Sequence, residues 1–215
     1  MNIYQVYHKK ELESSLLNKP YIIPYYTKDD YCGINHLQGV LNEFVCQYYV
    51  YKYEKYKNDD IVGFCHYRRY YNVDNYDIKL LENEVRHANT VYGLCWYNVK
   101  EVLEYNDRKN FIFDSLSDYI ACKYPEELDR FQKMDWDYKS IRFECFISRY
   151  DDFCKYVEFI LGYFKFMHID FESCSEQDIK NKIDSNCFII EFYNRKEHSW
   201  YLHKNNRYRK IAYII

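Results

Sequence analysis

The chain has 215 residues, among them 28 Tyr and 14 Phe but only five Gly and three Pro, and its formal net charge is −3. This length suits a single domain spanning 1–215, with a substantial core of aromatic and branched side chains. The mildly acidic balance lacks the basic face of a polynucleotide binder, and nine scattered cysteines without a CxxC pair oppose a disulfide framework or structural zinc and favour a reducing compartment.

The N-terminus, Met1 to His8, has neither the basic start nor the apolar run of a signal peptide. No stretch approaches the ~20 apolar residues that span a bilayer, so a soluble, cytoplasmic protein is expected, in the host cytoplasm if the gene is viral. Scarce Ala and Gly beside abundant Tyr, Lys, Asn and Ile fit AT-rich coding, as in some bacteria and large DNA viruses. Residues 2–7 read as a first strand that stops at His8-Lys9-Lys10. Tyr21-Ile22-Ile23 reads as a second short strand ended by Pro24, whose missing donor suits a strand end or edge. Asp29, Asp30, Gly33 and Asn35 mark a loop over 27–36. Residues 37–57 read as one helix, with Leu41, Phe44, Val45 and Tyr48 on a stripe.

After Asn58-Asp59-Asp60, the uncharged run 61–65 reads as an interior strand covered on both faces. A charged helix to about Asn89 follows, then a strand over Thr90 to Trp96. A further helix is expected to end before Pro125. Phe143 to Ile147 reads as a strand, and Ser148 as the cap of a helix with Phe153, Val157, Ile160, Leu161 and Phe164 at helical spacing. Asp151 and Asp152 stand at its start, where the helix dipole favours negative charge. Cys187 to Tyr193 is apolar except for Glu191, and its pattern leaves strand and helix open. His203 to Lys210 is the one basic run, either a solvated end or a peripheral contact with an anionic membrane surface. Strands alternating with helical patterns predict an α/β sandwich with a mainly parallel central sheet flanked by helices.

The densest chemistry follows the interior strand, in His66-Tyr67-Arg68-Arg69-Tyr70-Tyr71. Ligands of open α/β sheets bind beyond the carboxyl ends of such strands, and arginine forks grip phosphate oxygens. An imidazole, two guanidinium groups and several phenols suit a charged, hydroxyl-rich ligand such as a sugar nucleotide. In extended backbone, His66, Arg68 and Tyr70 face one side and Tyr67, Arg69 and Tyr71 the other. One pocket then meets at most one of the arginines unless the chain bends. With tyrosine so frequent, each of these tyrosines taken singly reads equally well as packing.

The run Val62 to Tyr71 closely resembles the "GLCHYRRYF" signature of a glycosyltransferase-like family catalogued as a domain of unknown function, DUF4422. Its members occur among polysaccharide-synthesis genes and in some large viruses. Further segments agree in order: His8-Lys9 is similar to the family's early "HK", and Glu43 to Lys52 is similar, without a gap, to its "ELTALYWIWK" helix. Cys145-Phe146-Ile147 resembles its "MFI", and Cys187 to Tyr193 its late "GFLAERL". The chain departs from the pattern at Val45, Tyr49, Tyr51 and Phe192, the last in place of an arginine. The resemblance implies a GT-A-like, Rossmann-type fold and a transferase that moves a sugar from a nucleoside diphosphate donor to a glycan or glycoconjugate acceptor. On the matched positions it implies Glu43, Glu191 and His66 as catalytic candidates, and His8, Lys9, His66, Tyr67, Arg68, Arg69 and Tyr70 around the donor.

Such transfer needs neutralisation of the leaving diphosphate, by a divalent ion such as Mn2+ or Mg2+ or by cationic side chains. An inverting enzyme also needs a carboxylate or histidine to take the acceptor's proton. The one DxD, Asp135-Trp136-Asp137, follows a charged stretch and reads as a solvated turn, and Asp74 and Asp77 read as turn residues. The strand-end position of a DxD is held instead by His66-Tyr67-Arg68, so metal dependence stays open. Glu43 lies off the apolar stripe, which favours solvation, although Cys46 and Val50 share its side. Glu191 needs a partner in its apolar run, and Arg195 stands one turn on if that run is helical. HExxH, GxSxG, P-loop and GxGxxG patterns are absent. The alternative is a non-catalytic carbohydrate-binding or assembly protein that retains the fold, favoured by the short chain, the lack of a well-placed DxD and Phe192.

Overall fold

The computed structural model describes residues 1–29, 33–67, 70–71, 77–87, 90–93, 96–98, 109–132, 139–141, 145–182, 207–210 and 213–214. Its strands are β1 (Asn2–Tyr7), β2 (Ile22–Tyr26), β3 (Ile61–His66), β4 (Tyr70–Tyr71), β5 (Thr90–Gly93), β6 (Trp96–Asn98), β7 (Lys139–Ile141), β8 (Phe146–Arg149), β9 (Arg207–Lys210) and β10 (Tyr213–Ile214). Its helices are α1 (Gln38–Leu41), α2 (Phe44–Tyr53), α3 (Ile78–His87), α4 (Lys109–Lys123), α5 (Leu128–Gln132), α6 (Tyr150–Phe166) and α7 (Glu176–Lys182).

Six strands form one sheet in the order β2-β1-β3-β8-β5-β9. β1 is parallel to β2 and β3, β5 is parallel to β9, and β8 lies antiparallel between β3 and β5, so β8 alone opposes the other five. This is the mainly parallel sheet that the alternation of strands and helices predicts. Side-chain parity sorts its core into two faces. Tyr4, Val6, Val62 and Phe64 join Phe44 and Val45 of α2 and Phe153 and Tyr156 of α6. Ile3, Ile61, Cys65 and Ile147 point the other way, onto Leu81 and Val85 of α3. Helices therefore cover both faces of β3, whose every residue is buried. At Gly63 the packing is tight: a Cβ would stand 3.0 Å from Cγ1 of Ile147 and 3.1 Å from Cγ1 of Ile3. No helix among the described residues is long and apolar enough to cross a membrane.

The structure corrects several expected boundaries. Pro24 lies inside β2, paired in register with Gln5, because β2 is the sheet edge and an edge strand tolerates a missing donor. The helix expected over 37–57 is broken at Asn42 and Glu43 and stops at Tyr53. The strand expected at 143–147 is β8, and Ser148 is buried within it rather than capping α6. The cap position falls on Arg149, whose Nε donates to Asp152 at 3.0 Å. Of the strand expected over Thr90 to Trp96, Thr90–Gly93 is β5 of the six-stranded sheet, whereas Trp96 opens β6, which pairs with β7 in a separate two-stranded sheet. α4 does end before Pro125, and α6 buries Phe153, Val157, Ile160 and Phe164 as their spacing predicts.

Candidate active site

Because β1, β2 and β3 are parallel neighbours, their carboxyl ends leave the sheet at one edge. Pairing continues past the strands: Thr27 donates its amide to Tyr7 O and Tyr67 to Val6 O, both at 2.9 Å. Three stretches distant in sequence are thus brought together, His8-Lys9-Lys10, Tyr26-Thr27 and His66-Tyr67. Their rings interlock. The Tyr67 ring lies 4.1 Å from that of His66 and meets His8 edge-on at 5.1 Å. Lys10 Nζ stands 4.5 Å over Tyr26, which packs at 5.1 Å on Tyr7. Burial, reinforced by Glu13, raises the Tyr7 phenol above its ordinary range, so it stays protonated. Cys65 is fully buried, and desolvation pushes its thiol far up, which removes it as a nucleophile.

Parity places His66 on the same face as Val6 and Phe64, towards α2. Glu43 meets it there: its Oε1 lies 3.5 Å from His66 Nε2, and the two side chains are only 11% and 9% exposed. What turns Glu43 inward is the break before α2. Asn42 has φ 48° and ψ −126°, a conformation no helix contains, and it ends α1. α2 then restarts with Glu43 at its cap position and Phe44, Val45 and Cys46 buried behind it. On an unbroken helix Glu43 reads as solvated; the kink makes it a buried partner of an imidazole. A carboxylate beside a histidine fixes the ring's orientation, and the pair can accept a proton and hold it.

No protein-family model matches the chain, and no curated protein matches it. Among solved structures, the WbbM bifunctional glycosyltransferase in its apo form matches 100% of this chain with a TM-score of 0.70 at 14% sequence identity. The fold is glycosyltransferase-like. This chain spans 45% of the length of that chain.

Set on this fold, the expected site residues fall into two groups. Glu43, His66, Tyr67 and His8 come together at the strand ends. Lys9 follows His8, exposed, at the start of a 3-10 turn over Lys10–Ser15. Tyr70 lies in β4, opposite Ile214 of β10. Arg68, Arg69 and Glu191 lie outside the described residues, as do Asp74, Asp135, Asp137 and the run Cys187 to Tyr193. Asp77 serves α3, accepting the amides of Lys79 at 2.9 Å and Leu80 at 3.2 Å, as a turn residue does. No group of three or more His, Cys, Asp or Glu among the described residues could hold a metal ion.

Tyr26 and Thr27 were not among the expected site residues, and Lys10 was read only as part of the polar end of the first strand. Thr27 is 2% exposed and its hydroxyl has no hydrogen-bond partner among the described residues. The signal was available, since Thr27 ends an apolar strand just as His66 does. A separate cleft of about 450 Å³ opens between Tyr48, Phe164 and Phe171 and shares no residue with the strand-end cluster. Its acidic groups are already engaged, Glu172 with Lys52, and Asp170 with the Ser173 hydroxyl at 2.9 Å.

Proposed function

We propose that this chain is a glycosyltransferase that moves a sugar from a nucleoside diphosphate sugar to a glycan or glycoconjugate acceptor, the activity implied by its resemblance to DUF4422. The observation that carries the reading is the Glu43–His66 pair at the carboxyl edge of a parallel sheet, where α/β folds bind ligands. Arg68 and Arg69, which directly follow Tyr67, neutralise the leaving diphosphate with paired donors. His8, Lys9, His66, Tyr67 and Tyr70 order the donor. Glu43, held against His66, takes the acceptor's proton, with Glu191 as a second carboxylate for acceptor hydroxyls. A bound Mn2+ or Mg2+ would supply the same neutralisation as the arginines.

Calorimetric titration with UDP, GDP, CDP and dTDP, with and without Mn2+, tests this. One nucleotide should bind saturably, and Arg68→Ala or Arg69→Ala should weaken it about tenfold each, the worth of one charge-assisted contact. Absence of binding in both conditions overturns the reading.

The burial of Glu43 and His66 favours a second reading, a carbohydrate-binding or assembly protein in which the pair is only a structural lock. Glycan binding without nucleotide affinity would select it, whereas slow donor hydrolysis would eliminate it.

A further inference from the structure

We propose that Glu176, on α7, is a positioning residue for Glu43. The inference takes the Glu43–His66 pair as the centre of the proposed site and concerns what holds that pair in place. Gly39 is the second residue of α1, so its amide belongs to the first turn, where a helix supplies no acceptor of its own. Glu176 supplies one: Gly39 donates to its Oε1 at 3.0 Å. A Cβ on Gly39 would stand 2.5 Å from that oxygen, so a larger residue there would push the carboxylate off the amide.

The other side of the contact is tied down by local hydrogen bonds. Ser175 and Asp178 bond reciprocally at the start of α7, the Ser175 amide to Asp178 Oδ2 at 2.8 Å and the Asp178 amide to Ser175 Oγ at 3.2 Å. Lys180 holds the second oxygen of Glu176 at 3.4 Å, and Ile179 is fully buried. One residue before this cap, Cys174 O meets His36 Nε2 at 3.1 Å. The 174–176 segment therefore holds α1 at Gly39 and, at His36, the 3-10 turn Asn35–Leu37 that leads into it. From Gly39 the path to the reactive carboxylate is short. Val40 and Leu41 are fully buried, and the Asn42 amide closes α1 on Gln38 O at 2.9 Å. Asn42 then adopts its left-handed φ and delivers Glu43 to His66. A non-glycine residue keeps such a conformation only when its surroundings over-determine it. Here the buried pair Val40-Leu41 and the Glu176 grip do so, which makes Glu176 act through Asn42 on Glu43.

The test reads His66 directly. In carbon-labelled protein at fixed pH, the imidazole Cε1–H signal of His66, assigned by His66→Gln, is compared in wild type, Glu43→Gln, Glu176→Ala, Glu176→Gln and Gly39→Ala. Glu43→Gln should move the signal. Glu176→Ala should move it the same way by more than half as much and accelerate amide exchange over residues 38–45 by about tenfold, local opening being confined to that segment. Glu176→Gln keeps an Oε1 acceptor and should restore both readouts. Gly39→Ala displaces the carboxylate from the other side and should reproduce Glu176→Ala, which keeps the question answerable if one variant folds poorly. An unmoved His66 signal in both Glu176→Ala and Gly39→Ala overturns the proposal, as does failure of Glu176→Gln to rescue. A signal unmoved even in Glu43→Gln overturns it by removing the pair. Failure of the transferase reading shows separately: a protein with these shifts that binds none of the nucleotides keeps the positioning role and loses the enzyme.

Discussion

Alanine substitution of Glu43, of His66 and of both together measures whether the contact that organises the site is real. At 3.5 Å, a fully charged carboxylate–imidazolium pair has a Coulomb ceiling of about 5 kcal/mol at an effective dielectric near 20. A neutral hydrogen bond at that stretched distance contributes about 1 kcal/mol. Each single substitution also removes one polar partner from a group in a site barely open to water, a loss of about 3 kcal/mol. The double variant removes both members of the contact and counts their mutual term once, so its loss should fall short of the sum of the singles by about 1–3 kcal/mol. Urea unfolding at neutral pH, followed by far-ultraviolet circular dichroism, gives the three differences, provided the slope with denaturant stays constant. Additivity within about 0.5 kcal/mol would refute the reasoning, because side chains that do not interact lose their stabilisation independently. Calorimetric nucleotide titrations of the same variants would show whether the pair serves the ligand as well as the fold.

Gly63→Ala should destabilise the protein by about 2 kcal/mol, since its methyl meets Ile3 and Ile147 closer than van der Waals distance on both neighbouring strands; an unchanged urea midpoint would show that β3 has slack. Asp178 should make the start of α7 acid-sensitive. Its carboxyl is held below the ordinary 3.8 by the Ser175 hydroxyl and amide. A depressed folded-state value means that the stabilisation is full above 3.8 and is lost as pH falls through the lower folded value. Thermal melts should show wild type above Asp178→Asn at pH 6, with the gap closing towards pH 2; a gap independent of pH would exclude the carboxylate as its source.

Much of the architecture was legible because one-dimensional patterns carry it. The uncharged run at 61–65 can only be buried, and the spacing from Phe153 to Phe164 can only present one helical face, so β3 and α6 follow from solvation and period. Parity placed His66 with Phe64, but the alternation expected to carry Tyr67 to the opposite side failed, because β3 ends at His66 and the Tyr67 ring packs 4.1 Å from it. The boundaries that failed were decided by neighbours. Pro24 continues β2 because β2 is an edge, and Ser148 sits in a strand because β8 pairs with β3 and β5 on either side. Neither fact is encoded within a few residues of the position concerned.

The site divides in the same way. From the sequence alone, His8, Lys9, His66 and Tyr67 could be placed at strand ends, since the end of an apolar run is a local signal. That β1, β2 and β3 run parallel and adjacent, so that those ends share one edge and include Thr27, was decided by sheet pairing. Glu43 shows the difference most sharply. Its helical period left it off the apolar stripe, between solvent and the side shared with Cys46 and Val50, and the break at Asn42, with its positive φ, set it 3.5 Å from His66. Local sequence determines which surfaces must leave water, because burial free energy depends on side-chain chemistry alone. Which polar group ends beside which depends on directions the chain takes at turns and kinks, and these are stabilised by contacts, such as Gly39 with Glu176, between segments far apart in sequence.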